Sequence, residues 1–137
     1  MGLDIGDKRI GVALCDPDEI LASPHSTIVR KTDEQAIQSI IDIALQNNVK
    51  CIVAGVPYSM DGSIGKQAAE VITFIEKISQ STEIPVEMQD ERLSTVAAEN
   101  LLKEAGRRRN KLKDRRDSAA AAYILQGYLD KQRAHDI

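Results

Sequence analysis

The sequence predicts an α/β fold with a central mixed five-stranded sheet and helices on both faces. Three observations predict it. The chain opens on short apolar runs, "GLDI" and "RIGVALC", joined by turn residues in a hairpin pattern. Apolar residues then switch to a helical period in "TDEQAIQSIIDIAL". Beyond that, strand-like runs alternate with helical stretches, which implies βαβ connections and a parallel portion of sheet. At 137 residues the chain suits one domain, 1–137, able to bury about two-thirds of the surface its unfolded form exposes.

The elements follow in order. Residues 2–5 and 9–15 read as strands around a Gly6-Asp7-Lys8 turn. "DPDE" turns the chain into a third antiparallel run, about Ile20 to Val29, where Pro24 demands a sheet edge or a bulge. Thr32 is an N-cap for a helix with acids Asp33 and Glu34 in its first turn. Ile37, Ile40, Ile41, Ala44 and Leu45 form its apolar face, and it ends near Asn47-Asn48. "VKCIVAGV" (49–56) is almost wholly apolar, as in a parallel strand covered on both faces. After the loop "PYSMDGSIG", Ala69, Val71, Ile72, Ile75 and Ile78 mark a second helix, and "IPVEMQ" (84–89) a fifth strand. Ser94 or Thr95 caps a third helix running to about Ala105, with Gly106 as its stop, and a last helix spans about Arg115 to Gln132. This β-β-β-α-β-α-β-α-α order is that of the RNase H-like arrangement. There the first strand is central, antiparallel to the second and parallel to the fourth.

Composition narrows the chemistry. No apolar run approaches the ~20 residues of a membrane span, so no membrane partner is expected. Asp4 and Asp7 interrupt any signal-peptide pattern, and the expected compartment is the cytoplasm. Cys15 and Cys51 show no metal-ligand spacing, and His25 and His135 lie far apart, leaving little for a zinc site or a Ser-His-Asp triad. Chemistry, if present, falls to carboxylates. Net charge is −3, yet "RRRNKLKDRR" (107–116) alone carries +6, leaving −9 on the rest.

Acidic residues stand in unusual places. Asp4 lies inside the first strand, Asp90 and Glu91 close the fifth, and Asp117 opens the Ala-rich last helix. Each has an ordinary reading: Asp4 in its own turn, Asp90 paired with Arg92 or capping a helix, Asp117 as a helix-dipole charge. Asp114, amid the cations, reads as an ion-pair partner. As a set, Asp4, Glu91 and Asp117, with Asp90 as a further candidate, can meet at one rim of the sheet. Converging carboxylates need a compensating cation, and Mg²⁺ or Mn²⁺ supplies one. Two such ions can activate water and stabilise the leaving oxygen of a phosphodiester. The cationic stretch, Arg107, Arg108, Arg109, Lys111, Lys113, Arg115 and Arg116, suits a polyanionic backbone. Lys8, Arg9, Lys66 and Arg92 join the expected nucleic-acid surface. Gly6, Gly62 and Gly65 are candidates for loops whose backbone amides hold phosphate. Aromatic residues are too few for a base-stacking platform.

Four stretches, "GLDIGDKRIGVAL", "VAGVPYSMDGSIGKQA", "DERLSTVAAE" and "KDRRDSAAAAYILQGYL", resemble in order the motifs of the YqgF/RuvX family of Holliday-junction resolvases and pre-16S rRNA nucleases. One departure is that only Met1 precedes Gly2, where the family usually has more strand residues. The resemblance implies an RNase H-like fold and a metal-dependent nuclease site, with acidic residues at Asp4, Glu91 and Asp117. The expected activity is processing of the 5′ end of pre-16S rRNA, by a monomer or weak homodimer. The alternatives are a resolvase of branched DNA or a non-catalytic nucleic-acid or ribosome-associated module. "DIGDKRIG" also resembles the first phosphate loop of actin-like ATPases, which close two such domains around a nucleotide.

Overall fold

The computed structural model describes residues 1–91 and 113–135. The helix expected from Ser94 or Thr95 to Ala105, together with Arg92, Arg107, Arg108, Arg109 and Lys111, lies outside the described residues. The elements are β1 (Gly2–Ile5), β2 (Arg9–Cys15), β3 (Ala22–Val29), α1 (Asp33–Gln46), β4 (Ile52–Val56), α2 (Lys66–Ser81), β5 (Val86–Asp90) and α3 (Lys113–His135).

The five strands form one sheet in the order β3-β2-β1-β4-β5. As the sequence order implies, β1 is central, antiparallel to β2 and parallel to β4. β5 adds in parallel to β4 at one edge. The other edge is β3, and the β2–β3 register shifts beside Pro24, so this proline has both the edge and the bulge it requires. β4 begins at Ile52, later than the apolar run suggests, because the Val49 N–H is spent on the Ala44 carbonyl at the end of α1. Thr32 caps α1 as expected, its hydroxyl accepting from Gln35 N at 3.2 Å.

Strand alternation sorts the side chains onto two faces. Leu3, Ile5, Ile10, Val12, Ile52, Ala54 and Val56 pack against α1 and α2 in the larger core. Ala13 and Val53 face the other way and pack with Ala121, Ile124, Leu125 and Leu129 of α3. Gly2 and Gly11 share that second face and let α3 come down onto the sheet. A Cβ at Gly2 would lie 2.7 Å from the Ala121 carbonyl oxygen, and one at Gly11 would strike the backbone of Asp117. The first turns of α3 therefore rest on the middle of the sheet.

Candidate active site

Asp4 is on the α3 side of β1, its position following from the alternation that sends Leu3 and Ile5 into the opposite core. Its strand partner is Gly11. Because the backbone of Asp117 sits over Gly11, the start of α3 is brought beside Asp4. Glu91 arrives from the other direction. It follows the end of β5, and its N–H donates to the Val56 carbonyl at 3.0 Å, continuing the β4–β5 ladder by one bond. Its side chain lies over Gly55, in the space that any other residue's Cβ would fill. Asp4, Glu91 and Asp117 thus converge from β1, β5 and α3 on one face at one rim of the sheet. Asp90 behaves differently. Alternation along β5 puts it on the side of Val86, facing α1 and α2, and it is exposed.

The electrostatics of the cluster follow from burial and like charge. Burial pushes the Glu91 carboxyl up to about 8, and the charges of Asp4 and Asp90 add to the rise. Asp4 is raised to about 6, first by burial and then by Asp117. At these values Glu91 keeps its proton through neutral pH, whereas Asp4 gives its own up just below neutrality, and a cation joining them favours the ionised form of both. Among the described residues, no three imidazole, thiol or carboxylate groups form a ready-made ligand set. The fit is to a hard divalent ion bound by one or two carboxylates, with water and a substrate phosphate completing its shell. The thiols offer nothing here, since Cys15 ends β2 and Cys51 just precedes β4, both on the side of the sheet away from this rim, and both pack toward the α3 core.

The surrounding turns are firmly made. Gly6 N donates to the Arg9 carbonyl at 2.9 Å, and Gly62 N to the Ser59 carbonyl at 2.8 Å. These two amides are spent within their own turns. Gly65 is the N-cap of α2, whose first turn has no side-chain cap. Lys66 begins α2 and lines a cleft of about 540 Å³ between the β1–β2 turn, α1 and α2. In that cleft Arg30 donates to the Gly6 carbonyl at 2.8 Å and to Asp33, and stacks over Phe74 at 4.3 Å. The turn carrying exposed Lys8 and half-buried Arg9 is thereby clamped from the face opposite Asp4. Of the sequence-predicted cations, Lys113, Arg115 and Arg116 fall in the first turns of α3, the helix that carries Asp117. Reading the sequence missed Gly11 and Gly55 as seats for α3 and Glu91; a glycine inside a strand was the available signal.

A family model described as "RuvX: Holliday junction resolvase" matches residues 1–131. The chain belongs to the RuvX family. This RuvX-family chain is 46% identical over 130 residues to a protein of Desulforamulus reducens, covering 95% of each. It is 44% identical over 135 residues to one of Synechocystis sp., covering 98% of this chain and 89% of that one. Both relatives bear the name "Putative pre-16S rRNA nuclease". Among solved structures, Thermus thermophilus RuvC in complex with a Holliday junction substrate superposes with a TM-score of 0.63 at 13% identity, over 96% of this chain and 94% of that one. Fowlpox virus resolvase with Holliday junction DNA gives 0.54 at 12% identity, over 96% of each chain. At such identities the likeness concerns the fold, which is RNase H-like as the element order implies. Membership of the family makes the RuvX-family chain a nuclease, a hydrolase of phosphodiester bonds. No helix among the described residues is long and apolar enough to cross a membrane.

Proposed function

We propose that this RuvX-family nuclease is a divalent-metal phosphodiesterase that trims the 5′ end of pre-16S rRNA, working in the cytoplasm as a single domain, monomeric or weakly dimeric. The observation that carries the chemistry is the convergence of Asp4 and Glu91, both pushed toward their protonated forms, beside Asp117. Asp4 and Glu91, with Asp117 beside them, would hold Mg²⁺ or Mn²⁺ through one or two carboxylates, and the ion would offset the carboxylate repulsion and supply Lewis acidity for in-line displacement at phosphorus. Asp4 and Glu91 are the inner holders and Asp117 completes the rim. Lys8, Arg9 and Lys66, with the cations of 107–116, bind and orient the substrate backbone. The packing of α3 on Gly11 keeps bulk water away from the inner side of the site. The RNA assignment is supported by the names of the relatives, both of which cover nearly the whole chain.

A second reading, cleavage of branched DNA, is favoured by the family description and by the Holliday junctions in the two structural neighbours. The test uses Mg²⁺ and Mn²⁺ titrations on an rRNA precursor and on a four-way junction in parallel. Asp4→Asn is expected to lower cleavage by at least about a hundredfold and to leave binding within about threefold. Cleavage of the junction alone would replace the RNA assignment with the DNA one. Salt-sensitive binding without cutting of either would leave a non-catalytic module, and undiminished cutting by Asp4→Asn would remove Asp4 from the mechanism.

A further inference from the structure

Arg30, just past the end of β3, is held more firmly than the end of an edge strand requires. Its backbone N–H donates to the Lys8 carbonyl at 2.9 Å and its guanidinium to the Gly6 carbonyl at 2.8 Å, so one residue grips the β1–β2 turn at two points. Two helices fix the guanidinium in turn. Asp33 of α1 accepts from it at 3.1 Å and from Lys77 of α2 at 3.0 Å, and the ring of Phe74, also on α2, lies 4.3 Å away beneath it. The Arg30 side chain is only 20% exposed. A hairpin turn of this size is already closed by its own bond from Gly6 N to the Arg9 carbonyl. The added grip sets where the turn stands relative to the sheet.

Arg9 is the side chain that this grip places. In the β1–β2 ladder Asp4 is opposite Gly11 and Ile5 opposite Ile10, so the next pair is Gly6 and Arg9. Ile5 and Ile10 enter the larger core, and alternation therefore puts Arg9 on the other face, that of Asp4, diagonally across the ladder from it. Diagonal neighbours are about 7–8 Å apart, a span that a long side chain crosses. Arg30 itself lines the cleft of α1 and α2 on the opposite face. A phosphate at the carboxylate rim thus has Arg9 within reach and the β1–β2 ladder between it and Arg30. We infer that Arg30 is a positioning residue, which holds the β1–β2 turn from behind so that Arg9 meets a substrate phosphate beside Asp4. This rests on the nuclease reading and names the residue that aims one of its cations.

The test is a double-mutant cycle on binding of the full chain to an rRNA-precursor oligonucleotide and to a four-way junction, across a range of salt, in a chelating buffer that prevents cutting. Arg9→Ala and Arg30→Ala are each expected to weaken binding about five- to tenfold and to lessen the slope of log affinity against log salt by about 1. The two together should do no more than Arg9→Ala alone, because Arg30 acts through Arg9. Arg30→Lys keeps a cation over Phe74 but has no fork to span Gly6 and Asp33, so it follows Arg30→Ala and carries the test if the alanine variant does not fold. With Mg²⁺ restored, Arg30→Lys should raise KM and leave kcat within about threefold. Additive losses, or a wild-type salt slope in either Arg9→Ala or Arg30→Lys, would overturn the positioning role, and cutting by the wild-type protein would leave the nuclease reading standing. Wild-type protein that neither binds nor cuts either substrate would overturn both.

Discussion

Glu91 and Asp4 make the folded protein a better proton acceptor than its unfolded chain. Their ordinary values are 4.5 and 3.8, and folding raises them to about 8 and about 6. Between those limits the unfolded chain binds fewer protons than the native one, so stability must fall as pH rises and level off above the higher folded value. Melting temperature in a chelating buffer is expected to drop steadily from pH 4.5 to pH 8. Asp4→Asn and Glu91→Gln should each flatten that slope and be more stable than wild type at pH 8. Adding Mg²⁺ or Mn²⁺ should restore wild-type stability more at pH 8 than at pH 5, because the ion binds the deprotonated pair. A flat wild-type profile between pH 4.5 and 8 would mean the two carboxyls are not held as described.

At the scale of elements, two glycines separate fold from site. Gly11 lies under the backbone of Asp117, and that backbone can yield only if the helix lifts. Gly11→Ala is expected to destabilise by about 1–3 kcal/mol in denaturant unfolding and to abolish cleavage. The three atoms nearest a Cβ at Gly55 all belong to the side chain of Glu91. Gly55→Ala should leave stability within about 1 kcal/mol and still lower cleavage by more than tenfold, since it evicts a carboxylate and not a helix. Equal effects on stability from both substitutions would contradict this division. The elements themselves were legible because their signals are local: period two in β1 and β2, the Thr32 cap, and Pro24 needing an edge. The carboxylates of the rim could be named from their odd placement in strands and at a helix start. The seats beneath them could not. A glycine's value as empty space depends on what packs against it, and neither the tilt of α3 nor the side of β5 on which Glu91 falls is written near Gly11 or Gly55.

At the scale of the whole molecule, charge is divided between an acidic body and one cationic stretch. Residues 107–116 carry +6 in a chain whose net charge is −3. Affinity for nucleic acid should therefore fall steeply with salt in spite of the overall sign. Replacing Arg107, Arg108 and Arg109 with Gln is expected to lessen the slope of log affinity against log salt by about 2 to 3. An unchanged slope would place the contacts elsewhere. The division of labour along the chain has one more effect. Asp4 stands at the start, Glu91 comes 87 positions later, and Asp117 a further 26. A polypeptide emerging during synthesis carries the first carboxylate long before the last, and α3 must settle on Gly11 before the three can meet. On the proposed mechanism, a chain made this way has no cutting edge until α3 has been added and has packed down on Gly11.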